Sequence, residues 1–358
     1  LLATNSSKEF PRLAVAVRSV AESSSQVERL HFHLFLADHT EPDWWKLEKS
    51  WTDLQCEFSF HKAGDVLGDR SREKGYGYWY RIWAGEVLPP DVSRVLYLDC
   101  DTLTYDDVTR LWEIDLSHQL AAVVEDAGAP LHNFAVNLAE HAPRFGLSFS
   151  ADQRYFNSGV LFINLDRWRS EGVAENLESI FQPHRGWAHS FDQDELNLLL
   201  RDRVKFISPA WNLIETLGVL ADWKYAQFEQ FGFPDYFEKP KIRHFAGGSK
   251  PEMFFSRSSV KRDYYAHLDR THWSGQRSKW ERWLIGWVAG DVMDLHYILV
   301  RGFAQHALVH PWKRLGLHLL RAPYSLPLYL LMPLNRLRLA FLRRCSAKGS
   351  TLSKVRRG

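Results

Sequence analysis

The sequence predicts an α/β fold in which strands alternate with helices. Its first stretch reads strand, helix, strand. Leu1-Leu2-Ala3-Thr4-Asn5 is the tail of a strand, residues 10–20 read as a helix with apolar Leu13, Val15, Ala16, Val17 and Val20, and Leu30-His31-Phe32-His33-Leu34-Phe35-Leu36 is the next strand. A second stretch, Val95-Leu96-Tyr97-Leu98, is apolar without alternation and runs into Asp99-Cys100-Asp101. Such a run suits a parallel strand buried on both faces. A third stretch, Val160-Leu161-Phe162-Ile163-Asn164-Leu165, is as apolar and is followed by helices.

The remaining elements follow in order. A polar turn, Asn5-Ser6-Ser7-Lys8, joins the first strand to its helix. Nucleotides commonly sit against such a turn, but it lacks Gly-x-Gly-x-x-Gly, which argues against a dinucleotide fingerprint. Residues 44–54 read as a second helix and 57–61 as a short strand. Residues 78–88 read as a helix that carries Arg81 and ends at Pro89-Pro90. Residues 120–124 form a strand ending in Glu125-Asp126. Residues 127–153, rich in Gly, Pro, Ala, His and Asn, read as a mobile excursion over a site. Helices are expected over about 167–181 and over 192–200. The latter opens with Asp192-Gln193-Asp194, whose acids favour a helix N-terminus, and simple capping explains them as well. Residues 204–207 are a short strand, Trp211-Asn212 a turn, and 241–245 the last strand. It opens into Ala246-Gly247-Gly248-Ser249-Lys250-Pro251, a glycine turn whose backbone N–H groups and Lys250 suit a phosphate. His244 alone reads as a packed histidine as readily as a ligand.

Composition narrows the classes. With 358 residues, one large domain with an appendage fits, as do two smaller domains. A net charge of +2 makes no case for nucleic acid. Cys56, Cys100 and Cys345 are too few and too scattered for a disulfide framework or a zinc site, and they fit a reducing compartment. The 15 Trp and 22 Phe point to a large core, a carbohydrate site or an interface. The chain starts at Leu1, with no signal peptide visible there and no uninterrupted apolar stretch of membrane-spanning length.

Chemistry is expected at Asp99 and Asp101. Ligands of open α/β sheets bind beyond the carboxyl ends of strands. There the turning backbone lets carboxylates at i and i+2 converge on a hard cation such as Mg²⁺ or Mn²⁺, which grips phosphate oxygens. Two acids that merely cap a turn would look the same.

Four blocks, taken together, resemble glycosyltransferase family 8. The likeness is nearest to bacterial lipopolysaccharide galactosyl- and glucosyltransferases, and more distant to glycogenin. The blocks are Arg81 with Val95-Leu96-Tyr97-Leu98-Asp99-Cys100-Asp101-Thr102; Tyr155-Phe156-Asn157-Ser158-Gly159-Val160-Leu161-Phe162-Ile163-Asn164-Leu165 with Trp168; Asp192-Gln193-Asp194-Glu195-Leu196-Asn197; and His244-Phe245-Ala246-Gly247-Gly248-Ser249-Lys250-Pro251. The resemblance covers about residues 1–275. It implies a GT-A type fold with a central mixed sheet, the nucleotide in the first half and the acceptor in the second. It implies that Asp99, Asp101 and His244 hold Mn²⁺ (or Mg²⁺) and that Lys250, with Gly247, clamps the diphosphate of a UDP-hexose. Arg81, Asn157, Ser158, Asp192, Gln193 and Asp194 match positions around the donor sugar.

Family enzymes retain anomeric configuration. Asp192 is expected to fix sugar hydroxyls, and Gln193 to set its carbonyl oxygen under the anomeric carbon during front-face attack, since an amide is a poor nucleophile. The first turn departs from the family, which usually carries Asp residues and a Tyr that hold the uridine. Here Phe10 is expected to stack on the base, and Asn5 or Ser6 to bond the uracil or ribose. Cys100 is expected to point away from the metal into packing.

Residues 276–358 form a helical, basic extension in this reading. No Asp or Glu follows Asp294, while leucines interleave with Arg314, Arg321, Arg336, Arg338, Arg343 and Arg344. Pro311, Pro323, Pro327 and Pro333 break the stretch into short helices. That pattern suits an amphipathic segment on an anionic membrane surface, and equally a helical cap packed on the domain. The expected function is metal-dependent transfer of galactose or glucose from a UDP-sugar to a saccharide or glycolipid acceptor of lipopolysaccharide or another surface glycan, at the cytoplasmic face of the membrane. A nucleotide-sugar hydrolase would not need Asn157, Asp192 and Gln193, and an inactive sugar-nucleotide-binding protein would be marked by a broken metal triad.

Overall fold

Strand and helix alternate along the chain, as the apolar runs predict. The computed structural model describes residues 1–72, 76–126, 128–129, 133–184, 186–214, 239–247, 250–253, 256–277, 291 and 294, all within one unit, Leu1–Leu295. The strands are β1 (Leu2–Thr4), β2 (His31–Leu36), β3 (Glu57–Lys62), β4 (Arg94–Leu98), β5 (Thr102–Thr104), β6 (Ala121–Glu125), β7 (Phe156–Asn164), β8 (Val204–Phe206), β9 (Leu213–Ile214) and β10 (Ile242–His244). The helices are α1 (Phe10–Ser23), α2 (Trp44–Ser50), α3 (Ala63–Leu67), α4 (Ala84–Val87), α5 (Phe134–His141), α6 (Leu165–Ser170), α7 (Val173–Phe181), α8 (Asp192–Leu200) and α9 (Ser258–Leu268).

The main sheet has the order β3-β2-β1-β4-β7-β6-β8. Along β4, Val95 and Tyr97 join one buried apolar cluster while Leu96 and Leu98 join the other. Both faces are covered, so the run needs no polar alternation. On one face lie α1 and α2, with Leu13, Val17 and Leu47 against Leu34, Leu96 and Phe162. On the other, Trp83, Trp168, Leu177 and Leu196 pack against Tyr97 and Leu161.

The sheet is mixed because of one strand. β1 pairs parallel with β2 and β4, and β6 with β8, but β7 runs antiparallel to both β4 and β6. The register sets Leu98 opposite Val160. An antiparallel strand begins where its neighbours end. The first residues of β7, Phe156 to Gly159, therefore meet the ends of β4 and β6 at one edge. A smaller sheet, β5-β10-β9, stands beside that edge, with β10 antiparallel to β5 and His244 opposite Thr102.

Two expected elements differ. Residues 78–88 are not one helix; Tyr76–Trp83 form tight 3-10 turns and only Ala84–Val87 an α-helix. Aromatic residues and two glycines have weak helix preference. Tertiary bonds hold the segment instead: Trp168 Nε1 donates to Ile82 O at 2.9 Å, and Arg169 donates to Gly85 O and Val92 O, each at 2.8 Å. The 127–153 excursion contains α5, anchored by buried Leu138, and a 3-10 turn that Gly146 ends at φ 67°. Residues 127 and 130–132 lie outside the described residues.

Candidate active site

The chain passes from the main sheet to the small one across Asp99-Cys100-Asp101. Asp99 N donates to Gly159 O at 2.8 Å, and Phe245 N donates to Asp101 O at 2.9 Å, so the segment is tied on both sides. Cys100 points into packing, as expected, with Sγ 3.4 Å from Ala3 O; burial pushes its thiol pKa well up. The β5–β10 pairing carries His244 to the acids. Its Nε2 lies 3.5 Å from Asp99 Oδ2 and 3.4 Å from Asp101 Oδ1. One ligand atom from each of the three residues falls within 4.8 Å of the others. Gly159 makes the approach feasible, because a Cβ there would stand 2.2 Å from His244 Cε1 and 2.8 Å from Asp99 Oδ2.

A buried chain of amides fixes which nitrogen of His244 faces the acids. Gly159 N donates to Asn157 Oδ1 at 3.0 Å, and Asn157 Nδ2 faces Asp126 Oδ2 at 3.2 Å. A backbone N–H can only donate and a carboxylate only accept, so Asn157 has a single orientation. Its oxygen also accepts from Asn212 Nδ2 at 2.9 Å, which turns Asn212 Oδ1 toward His244 Nδ1 at 3.0 Å. Nδ1 therefore donates to Asn212, and Nε2 is the ring nitrogen turned toward the two carboxylates. That donor set, one imidazole nitrogen and two carboxylates, suits a divalent metal ion, and the Asn212 contact is the kind of outer bond that orients metal-binding histidines.

Cations rim the same acids. Arg81 is buried over the Tyr97 ring, its Nη2 3.0 Å from Asp99 Oδ1 and its Nε 3.0 Å from Asp192 Oδ2. Its Nη1 donates to Ser158 O at 2.6 Å and to Ser158 Oγ at 3.1 Å. Burial alone would lower the Arg81 pKa, but Asp192 and Asp99 outweigh it and hold the guanidinium charged. Burial pushes the Asp192 pKa up to about 7, against the pull of Arg81 and with the charge of Asp99 adding. Lys250 pairs with Asp101 and donates to Phe245 O at 2.7 Å. Burial would raise the Asp101 pKa, yet His244 and Lys250 hold it well below the ordinary carboxylate range.

The structure thus brings together Arg81, Asp99, Asp101, Asn157, Ser158, Asp192, Gln193, His244 and Lys250. One expectation is corrected, that for Phe10, and two further residues are engaged inside the protein. Phe10 is fully buried in the apolar cluster beneath α1, so neither ring face is open to a base. Gln193 does not present a bare carbonyl oxygen. Its Oε1 accepts from Asn157 Nδ2 and Ser158 N, both at 3.0 Å, and its Nε2 donates to Asp126 Oδ2 at 3.1 Å and Tyr155 Oη at 3.2 Å. Asp194 is likewise spent inside the protein, accepting from Tyr155 Oη at 2.6 Å and Ser190 N at 2.9 Å.

Asn5 is exposed at the end of β1 and lies against Gly77, where a Cβ would come within 2.3 Å of its Cγ. Ser6 Oγ accepts from Lys8 N at 3.3 Å and so caps its own turn. Gly247 follows β10 at φ 63°, a conformation that favours glycine. Sequence reasoning gave no role to Asp126, Tyr155, Gly159 or Asn212. Asp126 was visible as an acid at a strand end, and Tyr155 and Gly159 as members of the second family block, though without a role; nothing marked Asn212 apart from an ordinary turn residue.

The fold and site define a glycosyltransferase of the GT-A type. The profile of Glycosyl transferase family 8 matches residues 3–251, and the chain belongs to that family. Among solved structures it is similar to galactosyltransferase LgtC in complex with donor and acceptor sugar analogs, at TM-score 0.58 and 20% identity over 78% of this chain and 98% of that one. It is also similar to the bifunctional glycosyltransferase WbbM, at TM-score 0.58 and 17% identity over 76% of this chain and 50% of that one. General stress protein A of Bacillus subtilis is 26% identical over 55% of this chain and 66% of its own length. The lipopolysaccharide 1,2-glucosyltransferase of Escherichia coli is 26% identical over 54% of each chain. The chain thus spans about half to two thirds of the length of these two curated relatives.

Proposed function

We propose that this chain is a metal-dependent, retaining hexosyltransferase. It moves galactose or glucose from a UDP-sugar to a saccharide acceptor in lipopolysaccharide or another surface glycan. The observation that carries the reading is His244 Nε2 turned inward between Asp99 and Asp101, with Lys250 and Arg81 beside them. Asp99, Asp101 and His244 would hold Mn²⁺ or Mg²⁺, and such a dication neutralises charge on a diphosphate leaving group without moving protons. Lys250, with the Gly247 turn, supplies a further positive charge for the same phosphates. Arg81 stays between Asp99 and Asp192 and so keeps the phosphate-side and sugar-side carboxylates in fixed relation. Asp192 accepts hydrogen bonds from donor hydroxyls. Gln193 acts first as a positioning residue, holding Asn157 and Ser158 through its carbonyl oxygen. An amide at 193 favours front-face attack over a covalent intermediate.

The proposal extends to the organisation of the chain. Residues 1–275 are the catalytic domain, and 276–358 hold it against an anionic membrane surface where a lipid-linked acceptor is presented. The absence of acids after Asp294 supports this, although almost all of that extension lies outside the described residues. No helix among the described residues is long and apolar enough to cross a membrane. Cys56 and Cys100 are free thiols, in keeping with the cytoplasmic face.

A donor screen tests the reading. Purified protein receives UDP-, GDP- and TDP-sugars with Mn²⁺ or with EDTA, and released nucleotide is followed. Release from one UDP-hexose that EDTA abolishes is the expected result. Release undiminished by EDTA would remove the metal, and a preference for GDP- or TDP-sugars would remove uridine.

A further inference from the structure

The chemistry above leaves one exposed feature at the site unused. Tyr78 and Phe191 lie face to face, ring centroids 4.3 Å apart and planes within 10°, yet they are 47% and 55% exposed. Large aromatic side chains are for the most part buried, so a stacked pair turned to solvent is informative. Both rings are tied to the donor side of the site. Phe191 directly precedes Asp192 in the chain. Tyr78 O accepts from Arg81 Nε at 3.4 Å, and that guanidinium pairs with Asp192.

The backbone adds an independent observation. Phe191 sits at φ 52°, ψ −130°. A bulky residue is strained there, where glycine would not be. The ring buries too little to compensate, so the fold gains little from keeping phenylalanine at this position. Strain of this kind collects at sites that bind or react.

We propose that the outer face of the Tyr78–Phe191 pair receives a pyranose ring of the acceptor. A pyranose has a face of C–H bonds, apolar and slightly positive, with its hydroxyls around the rim. An aromatic ring offers a flat, apolar face carrying the negative part of its quadrupole. Stacking on the pair would hold an acceptor ring beside Asp192 and leave its hydroxyls free to approach the donor. The proposal rests on the transferase reading and adds to it the surface that selects the acceptor.

The test uses the full chain loaded with UDP and Mn²⁺. Methyl hexopyranosides are added, and saturation transfer from protein to sugar is followed by NMR. The expected result is saturation of ring C–H protons of at least one pyranoside by the wild type. In Tyr78→Ala and in Phe191→Gly the sugar should bind about tenfold more weakly, in the range of an aromatic stacking contact. Phe191→Gly should melt level with or above the wild type, because the strain is relieved; a merely structural Phe191 would lower the midpoint. Phe191→Tyr should restore sugar binding. Saturation unchanged in both variants overturns the proposal. So does an absence of saturation with every pyranoside while UDP is bound, or a loss confined to UDP affinity, which would make the pair a platform for the base. A wild type that binds no UDP with Mn²⁺ would instead remove the transferase reading, and the platform with it.

Discussion

Two histidine sites in this molecule put the same ring to opposite use. At the end of β10, His244 is buried between Asn212 on one side and two carboxylates on the other. On β2 and β3, His33 Nδ1 and His61 Nε2 face each other at 3.0 Å, with His31 stacked on His33 at 4.1 Å. Burial pushes the His33 pKa down to about 3 and lowers that of His61, the neighbouring imidazoles adding. Two neutral rings satisfy each other, one as donor and one as acceptor, and need no further ligand. His244 faces more negative charge than one ring answers. Sheet register makes the difference. Thr102 stands opposite His244 and brings Asp99 and Asp101 with it, whereas Ser59 stands opposite His33.

The comparison breaks most sharply at the acids. Asp101→Ala should lower transfer by about 10³-fold or more at fixed Mn²⁺, the scale of several kcal/mol of charge stabilisation. A fall of less than about tenfold would take Asp101 out of the site. Next in size is the outer bond of His244. Asn212→Ala frees Nδ1 and should weaken Mn²⁺ binding by about 10–100-fold in a calorimetric titration. His61→Ala, which frees a ring of the other site, should leave Mn²⁺ affinity at the wild-type value.

Asp192→Asn separates function from stability in the same region. Transfer should fall about 100-fold, while the variant should gain stability over the wild type by about 1–3 kcal/mol above neutrality. The sign follows from a native pKa raised to about 7 from 3.8. The wild type loses stability as pH rises from about 4 through about 7, whereas an amide does not titrate. Chemical denaturation at pH 4.5 and pH 8 would show the gap opening with pH. A gap that closes instead would mean that Arg81 compensates the carboxylate fully.

The smallest effect belongs to the neutral pair. His33→Leu should leave transfer unchanged and shift stability by no more than about 1 kcal/mol at pH 8. Its native pKa is depressed, so the wild type loses stability as pH falls from about 6.5 toward 3, with His31, His61 and Glu57 the titratable groups around it. The leucine variant should show a shallower acid limb in thermal melts. A limb as steep as the wild type's would place the charge cost elsewhere.

Much of this was legible in the chain because burial on both faces writes an unbroken apolar run. β4 and β7 follow from that alone, and so does the place of Asp99 and Asp101 at a strand end; that the two acids do more than cap a turn came from the family resemblance. His244 does not, since it reaches the acids only through the β5–β10 pairing, across more than a hundred residues; the family resemblance placed it. The roles of Asp126, Asn212 and Tyr155 were hidden because a buried polar network is built from residue types that also occupy ordinary turns. Phe10 misled for a related reason, because an aromatic at a helix start reads alike whether its faces are free or packed. The helix α5 was lost among glycine, proline and histidine neighbours, its eight residues too few for a periodic signal.

The most direct test of the central claim is UDP binding by calorimetry, with Mn²⁺ and with EDTA. The arrangement of His244, Asp99 and Asp101 predicts binding that appears with Mn²⁺ and vanishes with EDTA. UDP affinity that EDTA leaves untouched would contradict it, because the two acids would then face the diphosphate with only Lys250 and Arg81 to offset them.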